Sequence, residues 1–185
     1  MKWDSQKWVF VTGKAFSGKT YFIRKHIEAI PSSRHTMIYD FTNEYIDLAK
    51  KKNKDVWKVQ RGTQEEIEDF ITLAYNRGNC TVVLSESDNY LQFNSPVLLA
   101  FVTTGRNRGI NAIVDAKRPM SVKPAYRGRF NYLVLFQTTL PNDIEYIADW
   151  CGVKDDSFEM LKTLGQGEFI LVDLDKQEIS EVKRL

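Results

Sequence analysis

The sequence predicts an α/β sandwich: a mainly parallel central sheet with flanking helices and a C-terminal β-hairpin. Three observations lead there. Short apolar runs alternate with segments of helical period, the pattern of strands joined by crossover helices. The 185 residues suffice for one sizeable core and are few for two, so 1–185 reads as a single domain. The last two apolar runs flank a short polar turn, as a hairpin requires.

The first run is Trp8-Val9-Phe10-Val11-Thr12. A glycine-containing loop then leads into Thr20 to Ile30, where Ile23, Ile27 and Ile30 share one helical face. Pro31-Ser32-Ser33 closes that helix, and Thr36-Met37-Ile38-Tyr39 reads as a second buried strand ending in Asp40. Lys50 to Lys54 reads as an exposed element and Val56-Trp57-Lys58-Val59 as a short strand. Thr63 is placed to cap a helix carrying Ile67, Phe70, Ile71, Ala74 and Tyr75 on one face, stopped by Arg77-Gly78-Asn79. Thr81-Val82-Val83-Leu84 is another buried strand, and Pro96 to Thr104, apolar nearly all round, reads as a buried helix. Ile110 to Asp115 and Tyr132 to Phe136 supply two more strands. Pro141 opens a helix with Ile144, Ile147, Ala148 and Cys151, and a short helix follows near Phe158 to Leu164. Glu168 to Leu174 and Glu178 to Val182 form the hairpin, turning at Asp175-Lys176.

Composition narrows the class. With 43% apolar and 27% charged residues the chain reads as an ordinary globular protein, and no segment approaches the ~18 consecutive apolar residues that span a bilayer. The N-terminus runs into its first strand without an apolar leader, so secretion is not expected. Cys80 and Cys151 read as buried thiols, with only His26 and His35 as companions for a metal. Trp3, Trp8, Trp57 and Trp150 read as core or interface residues. A formal charge of +2 does not announce a nucleic-acid partner, but its distribution is uneven. Between Arg106 and Arg129 stand seven bases (Arg106, Arg108, Lys117, Arg118, Lys123, Arg127, Arg129) and one acid, Asp115. That asymmetry suits a phosphate-rich partner, and Lys50, Lys51, Lys52 and Lys54 form a second cluster.

Gly13-Lys14-Ala15-Phe16-Ser17-Gly18-Lys19-Thr20 fits G-x-x-x-x-G-K-[ST] at every fixed position, between a buried strand and a helix. Glycines let such a loop wrap tightly, so that successive backbone N–H groups and the helix N-terminus face phosphate oxygens. The pattern points to ATP, with Lys19 reaching the β and γ phosphates and Thr20 giving its hydroxyl oxygen to Mg²⁺. Glu86 follows Val82-Val83-Leu84-Ser85 at the carboxyl end of a buried strand, the edge where open α/β sheets place ligands. Its expected task is to orient and deprotonate the attacking water; Asp88 is a second candidate.

Further segments resemble the FtsK–HerA superfamily of DNA-pumping ATPases, in order, from about Val9 to Leu174. Ile38-Tyr39-Asp40-Phe41-Thr42-Asn43-Glu44-Tyr45 resembles the second-strand signature and Val82 to Glu86 the Walker B strand. Gly105-Arg106-Asn107-Arg108-Gly109-Ile110 resembles the lead into the fourth strand, Ala112 to Pro119 the sensor strand, and Gly167 to Val172 the closing hairpin. The resemblance implies a RecA/ASCE-like P-loop NTPase, ATP and Mg²⁺ as cofactors, and double-stranded DNA as partner of a homo-oligomeric, hexameric ring. Two positions depart from the pattern. Ser85 stands where the family carries Asp, leaving Mg²⁺ to Thr20, water and Ser85, with slower hydrolysis expected. Lys117 stands at the sensor Gln and can touch the γ phosphate as a cation but cannot accept a hydrogen bond. Arg106, or else Arg108, is expected to reach the neighbouring subunit's nucleotide.

The chain has the size of a bare motor core, which resembles the genome-packaging ATPases of membrane-containing icosahedral viruses. That implies a capsid or viral membrane protein as a further partner, and a place in the host cytoplasm or at the virion vertex. A plasmid or conjugation ATPase, cytoplasmic if cellular, stays open beside it. So do a small-molecule P-loop kinase with Lys117 to Arg129 as its lid, and a nucleotide switch without turnover.

Overall fold

The computed structural model describes residues 7–185; Trp3 lies outside the described residues. The parallel part comprises β1 (Trp8–Thr12), β2 (His35–Asp40), β3 (Lys54–Lys58), β4 (Cys80–Leu84), β5 (Asn111–Ala116) and β6 (Tyr132–Leu135). Between them lie α1 (Lys19–Ala29), α2 (Gln64–Arg77), α3 (Pro96–Thr104) and the single turn α4 (Pro124–Arg127). α5 (Pro141–Cys151) then leads to β7 (Glu168–Asp173), β8 (Glu178–Ile179) and β9 (Lys183–Arg184). The order across the sheet is β3-β2-β4-β5-β1-β6-β7-β8, antiparallel from β7 onward, with β9 also paired to β7.

β1, β4 and β5 are buried along their whole length because helices cover both faces of the sheet, so their apolar runs have no polar alternation. The pleat still divides them. Trp8 and Phe10 point into one core with Phe70, Phe101, Phe130 and Val114, while Val9 and Val11 point into the other with Ile23, Ile27, Val83 and Val134. α1 covers the second core through Phe22, Ile23 and Ile27, joined by Tyr45 and Leu48 from the segment after β2. The register pairs Thr12 with Ala116 on one side and Leu135 on the other, and Tyr39 with Leu84. The segments that follow β1, β2, β4 and β5 therefore emerge side by side at one edge.

Several elements differ from the sequence reading. Lys54 begins β3 and is buried, its ammonium 3.2 Å from Thr36 Oγ1, so only Lys50, Lys51 and Lys52 of that run are exposed. α3 is not buried all round: Leu98, Phe101 and Val102 face the core, whereas Leu99 is 42% exposed, because nothing covers its outer side among the described residues. Asp155–Lys162 is a run of 3-10 turns. The hairpin is shorter than expected on its second side; Val182 is exposed, and β9 turns back so that Leu185 N–H donates to Gly167 O at 3.0 Å. Trp8 is fully buried, Trp57 and Trp150 pack against the core, and Cys80 is buried with Cys151 half-buried.

α2 starts where Thr63 was expected to cap it. Thr63 Oγ1 accepts from Glu66 N–H at 3.3 Å, and the Glu66 carboxylate accepts in turn from the N–H groups of Gln60, Arg61 and Gly62 at 2.7, 2.9 and 2.8 Å. Burial pushes the Glu66 carboxyl up; the three N–H groups outweigh it and hold the carboxyl below its usual range. Its contribution is therefore present at neutral pH and is lost as pH falls through that lowered value. Glu66→Ala leaves the three donors without their acceptor and is expected to cost about 3 kcal/mol, read as a fall in the urea midpoint at unchanged slope.

Candidate functional site

The loop after β1 has little room. A Cβ on Gly13 (φ +146°) would come within 2.6 Å of Phe136 Cβ, and one on Gly18 (φ +116°) within 2.9 Å of Leu185 Cδ1 and 3.3 Å of Gly167 Cα. Both positions need glycine on conformational and steric grounds. The loop is pinned from outside: Lys14 N–H donates to Gln137 O at 2.8 Å, and Gly167 N–H to Ser17 O at 2.9 Å. Ser17 Oγ donates to Lys14 O at 2.8 Å, and Phe16 stands at the tip, left-handed and 92% exposed. Gly18 caps α1 without a side-chain acceptor, and the first turn of α1 holds no acid, so its N–H groups remain available to an anion.

Lys19 curls over the loop and donates to Gly13 O at 2.7 Å and Lys14 O at 3.0 Å. Burial lowers its pKa, opposed by Asp115 and Glu86. Thr20 Oγ1 donates to Glu44 Oε2 at 3.0 Å. The same edge supplies Glu86, which takes a left-handed backbone (φ +54°) just beyond β4, a strained place for a non-glycine residue. Glu86 N–H donates to Asp115 Oδ1 at 3.3 Å, and its carboxylate pairs with Lys117 Nζ at 2.6 Å. Asp88, the second candidate, accepts from Lys117 N–H at 2.8 Å and so fixes the end of β5.

A cavity of about 440 Å³ opens between these groups, lined by Ala15, Phe16, Gly18, Lys19, Thr20, Tyr21, Thr42, Glu44, Glu86, Lys117 and Gln166. It gathers the expected phosphate, metal, base and sensor residues around one space. Ser85 is not among them: it is buried beneath the β2–β4 edge, its Oγ accepting from Phe41 N–H at 3.2 Å. A larger cavity of about 770 Å³, lined by Phe130, Trp150, Leu174 and others, lies near the opposite edge of the sheet. Among the described residues no cluster of three or more His, Cys, Asp or Glu could hold a metal by itself, and no helix is long and apolar enough to cross a membrane.

Sequence reasoning gave no role to two residues of this edge. Asp115 is buried at the end of β5 beside Lys19 and Glu86; burial pushes its carboxyl up to about 7, Lys19 pulling the other way. Its only signal in the sequence was an acid inside an otherwise apolar strand. Glu44 was visible in the Asp40 to Tyr45 segment, but its contact with Thr20 joins residues 24 apart.

The arginines lie elsewhere. Arg106 sits at the amino edge, about 17 Å from the loop by the length of a five-residue strand. Its Nη2 donates to Asn131 Oδ1 at 2.9 Å and to Arg129 O, which ties the guanidinium to its own chain, with burial lowering its pKa. Arg108 is exposed and lies over the Tyr75 ring at 5.4 Å. The basic run is also less free than it reads: Arg118 pairs with Asp143 at 3.2 Å, Arg127 with Asp149 at 2.8 Å, and Lys117 with Glu86.

Solved structures share this architecture. The DNA-packaging ATPase B204 of Sulfolobus turreted icosahedral virus superposes with a TM-score of 0.80 at 21% identity, over 97% of this chain and 98% of that one. B204 of Sulfolobus turreted icosahedral virus 2, a genome packaging NTPase in complex with ATPγS, gives 0.82 at 19% identity with the same coverage. The pCW3 conjugation coupling protein TcpA, with ATPγS, gives 0.69 at 13% identity over 92% of this chain and 58% of its own. No protein-family model matches the sequence, and no curated protein does. The chain therefore has the fold of these proteins, the α/β sandwich that its sequence implies.

Asp115→Asn keeps an acceptor for Glu86 N–H and removes the titration. The wild-type carboxyl titrates at about 7 folded against an ordinary 3.8, so it lowers stability progressively as pH rises between those values. The variant is expected to match wild type near about pH 4 and to exceed it by about pH 8, read from urea midpoints at the two values.

Proposed function

We propose that this chain is an Mg²⁺-dependent ATPase that drives double-stranded DNA, and that its task is viral genome packaging. The observation that supports it most is the placing of Glu86 and Lys19 across one cavity at the mouth of the 13–20 loop. Likeness along the whole chain to two packaging NTPases supports the choice of task.

The donor set fits the nucleotide. Loop and α1 N–H groups face the phosphates, and Lys19 exchanges the carbonyls of Gly13 and Lys14 for β and γ oxygens. Thr20 offers a hydroxyl to Mg²⁺, which when bound neutralises charge on those oxygens. Glu86 accepts the proton of the attacking water once Lys117 moves from it to the γ phosphate, so the ion pair keeps the base inactive until nucleotide arrives. Ser85 lies beneath this edge and acts on the metal, at most, through water.

Assembly into a hexameric ring would add a cation from the neighbouring subunit to the Lys19 and Lys117 that line this cavity. Of the two arginines we assign Arg108, which is exposed and donates at 3.3 Å to the carbonyls of Tyr75 and Asn76, over the half-buried Arg106 held by Asn131 and Arg129. A capsid or viral membrane protein is the expected docking partner, in the host cytoplasm or at the virion vertex. The likeness to TcpA keeps a conjugation ATPase as a second reading. The kinase reading has less support, because Arg118 and Arg127 of its lid are paired with Asp143 and Asp149 of α5.

Steady-state turnover measured against protein concentration, with and without linear double-stranded DNA, tests the proposal. Turnover is expected to rise with both, and Glu86→Gln to lower it by about 10²–10⁴-fold while ATPγS still binds. Tight binding with flat or absent turnover would instead favour a nucleotide switch. Arg108→Ala is expected to lower turnover by about 10³-fold at unchanged melting temperature and ATP binding. Arg106→Ala is expected to lower the melting temperature, since Asn131 Oδ1 keeps only Trp8 N–H and the Arg129 carbonyl loses this donor, at a cost of about 1–3 kcal/mol.

A further inference from the structure

Ser85 occupies the position from which a carboxylate would reach Mg²⁺, and its hydroxyl is engaged with Phe41 N–H beneath the edge of the sheet. The cavity holds two carboxylates among the described residues, Glu44 and Glu86. Glu86 pairs with Lys117 at 2.6 Å and is assigned to the attacking water. Glu44 touches the metal-binding hydroxyl itself, with Oε2 3.0 Å from Thr20 Oγ1.

A hydroxyl that gives a lone pair to a divalent cation must send its proton the other way, and a carboxylate is the strongest acceptor for it. Glu44 is that acceptor. Its hydrogen bond would leave the Thr20 lone pairs for the cation, and its charge beside Thr20 would also receive water bound to the metal.

The carboxylate is held in place by its own backbone. Asp40, buried at the end of β2, accepts from Glu44 N–H at 3.0 Å and from Tyr45 N–H at 2.9 Å. On the other side Arg24, one turn beyond Thr20 on α1, donates to Glu44 O at 2.5 Å while its fork grips Asp47 at 2.9 and 2.6 Å. Tyr45 anchors the segment in the core at 1% exposure. Residues 40–47 are thus clamped to the helix that carries Thr20.

We infer that Glu44 supplies from the β2 loop the Mg²⁺-orienting carboxylate that β4 lacks at Ser85, acting through Thr20 and through metal-bound water. This makes Glu44 a positioning residue, and it rests on the reading of the cavity as an Mg²⁺-ATP site. The test is ATPγS binding to the full chain by calorimetry, titrated with Mg²⁺ and repeated in EDTA. Wild type is expected to gain affinity with Mg²⁺. Glu44→Gln is expected to need about 10–100-fold more Mg²⁺ for the same gain, at an unchanged EDTA affinity and melting temperature. Glu44→Asp, which keeps the charge one methylene further back, is expected to recover part of the loss. An unaltered Mg²⁺ requirement in both Glu44 variants overturns the inference, as does a requirement raised by Ser85→Ala and not by Glu44→Gln. Wild type that binds no ATPγS under any condition defeats the nucleotide reading itself, a result distinguishable from the other two.

Discussion

A parallel sheet buried on both faces leaves charge nowhere to go except the ends of its strands. That constraint organises this molecule. β1, β4 and β5 are covered throughout by apolar neighbours, so every polar group they carry toward function collects where they stop: Thr12 and the loop beyond it, Ser85 and Glu86, Asp115 and Lys117. Parallel register brings these ends to one level, and β2 adds Asp40 and Glu44 beside them. The site is thus a consequence of topology before it is a matter of particular side chains.

Asp115 is the group that breaks the rule, one residue short of the end of β5 and buried. The result is a compact charge arrangement in which no member is independent. Burial disfavours the charge on both Lys19 and Asp115, and each restrains the other's shift. Glu86 adds a second negative charge near Asp115 and gives its own to Lys117. On the proposed reading, a polyphosphate entering between Lys19 and Lys117 would meet two ammonium groups already engaged, one by backbone carbonyls and the other by a carboxylate.

The sequence revealed what depends on period and local spacing. Apolar runs located β1, β2, β4, β5 and β6, Thr63 marked the start of α2, and the fixed positions of 13–20 located the loop. What it concealed depends on which element faces which. Periodicity gave α3 its apolar character but not the absence of a cover over Leu99. A count of charges between Arg106 and Arg129 could not include Asp143 and Asp149, which reach that segment from α5. Lys54 looked like its exposed neighbours because a strand's first residue is buried by its partner strand, here at Thr36, and not by its own sequence. Glu44 and Leu185 met the loop only through contacts 24 and roughly 170 residues apart in the chain, beyond any local pattern.

Moving a carboxylate from the end of β4 to the loop after β2 also changes what it is coupled to. On β4 an acid at position 85 would share its backbone with Glu86, and any shift of the base would move the metal's partner with it. Glu44 answers instead to Asp40 and to Arg24 on α1, the helix that carries Thr20. The Glu44 side of the cavity is thereby tied by hydrogen bonds to the helix that carries Thr20, while Glu86, Lys117 and Asp88 are tied to one another across β4 and β5. On the proposed reading, Mg²⁺ and phosphate would be held by one group of residues while the other rearranges, so that the strained Glu86 backbone and its ion pair would adjust without loosening the nucleotide.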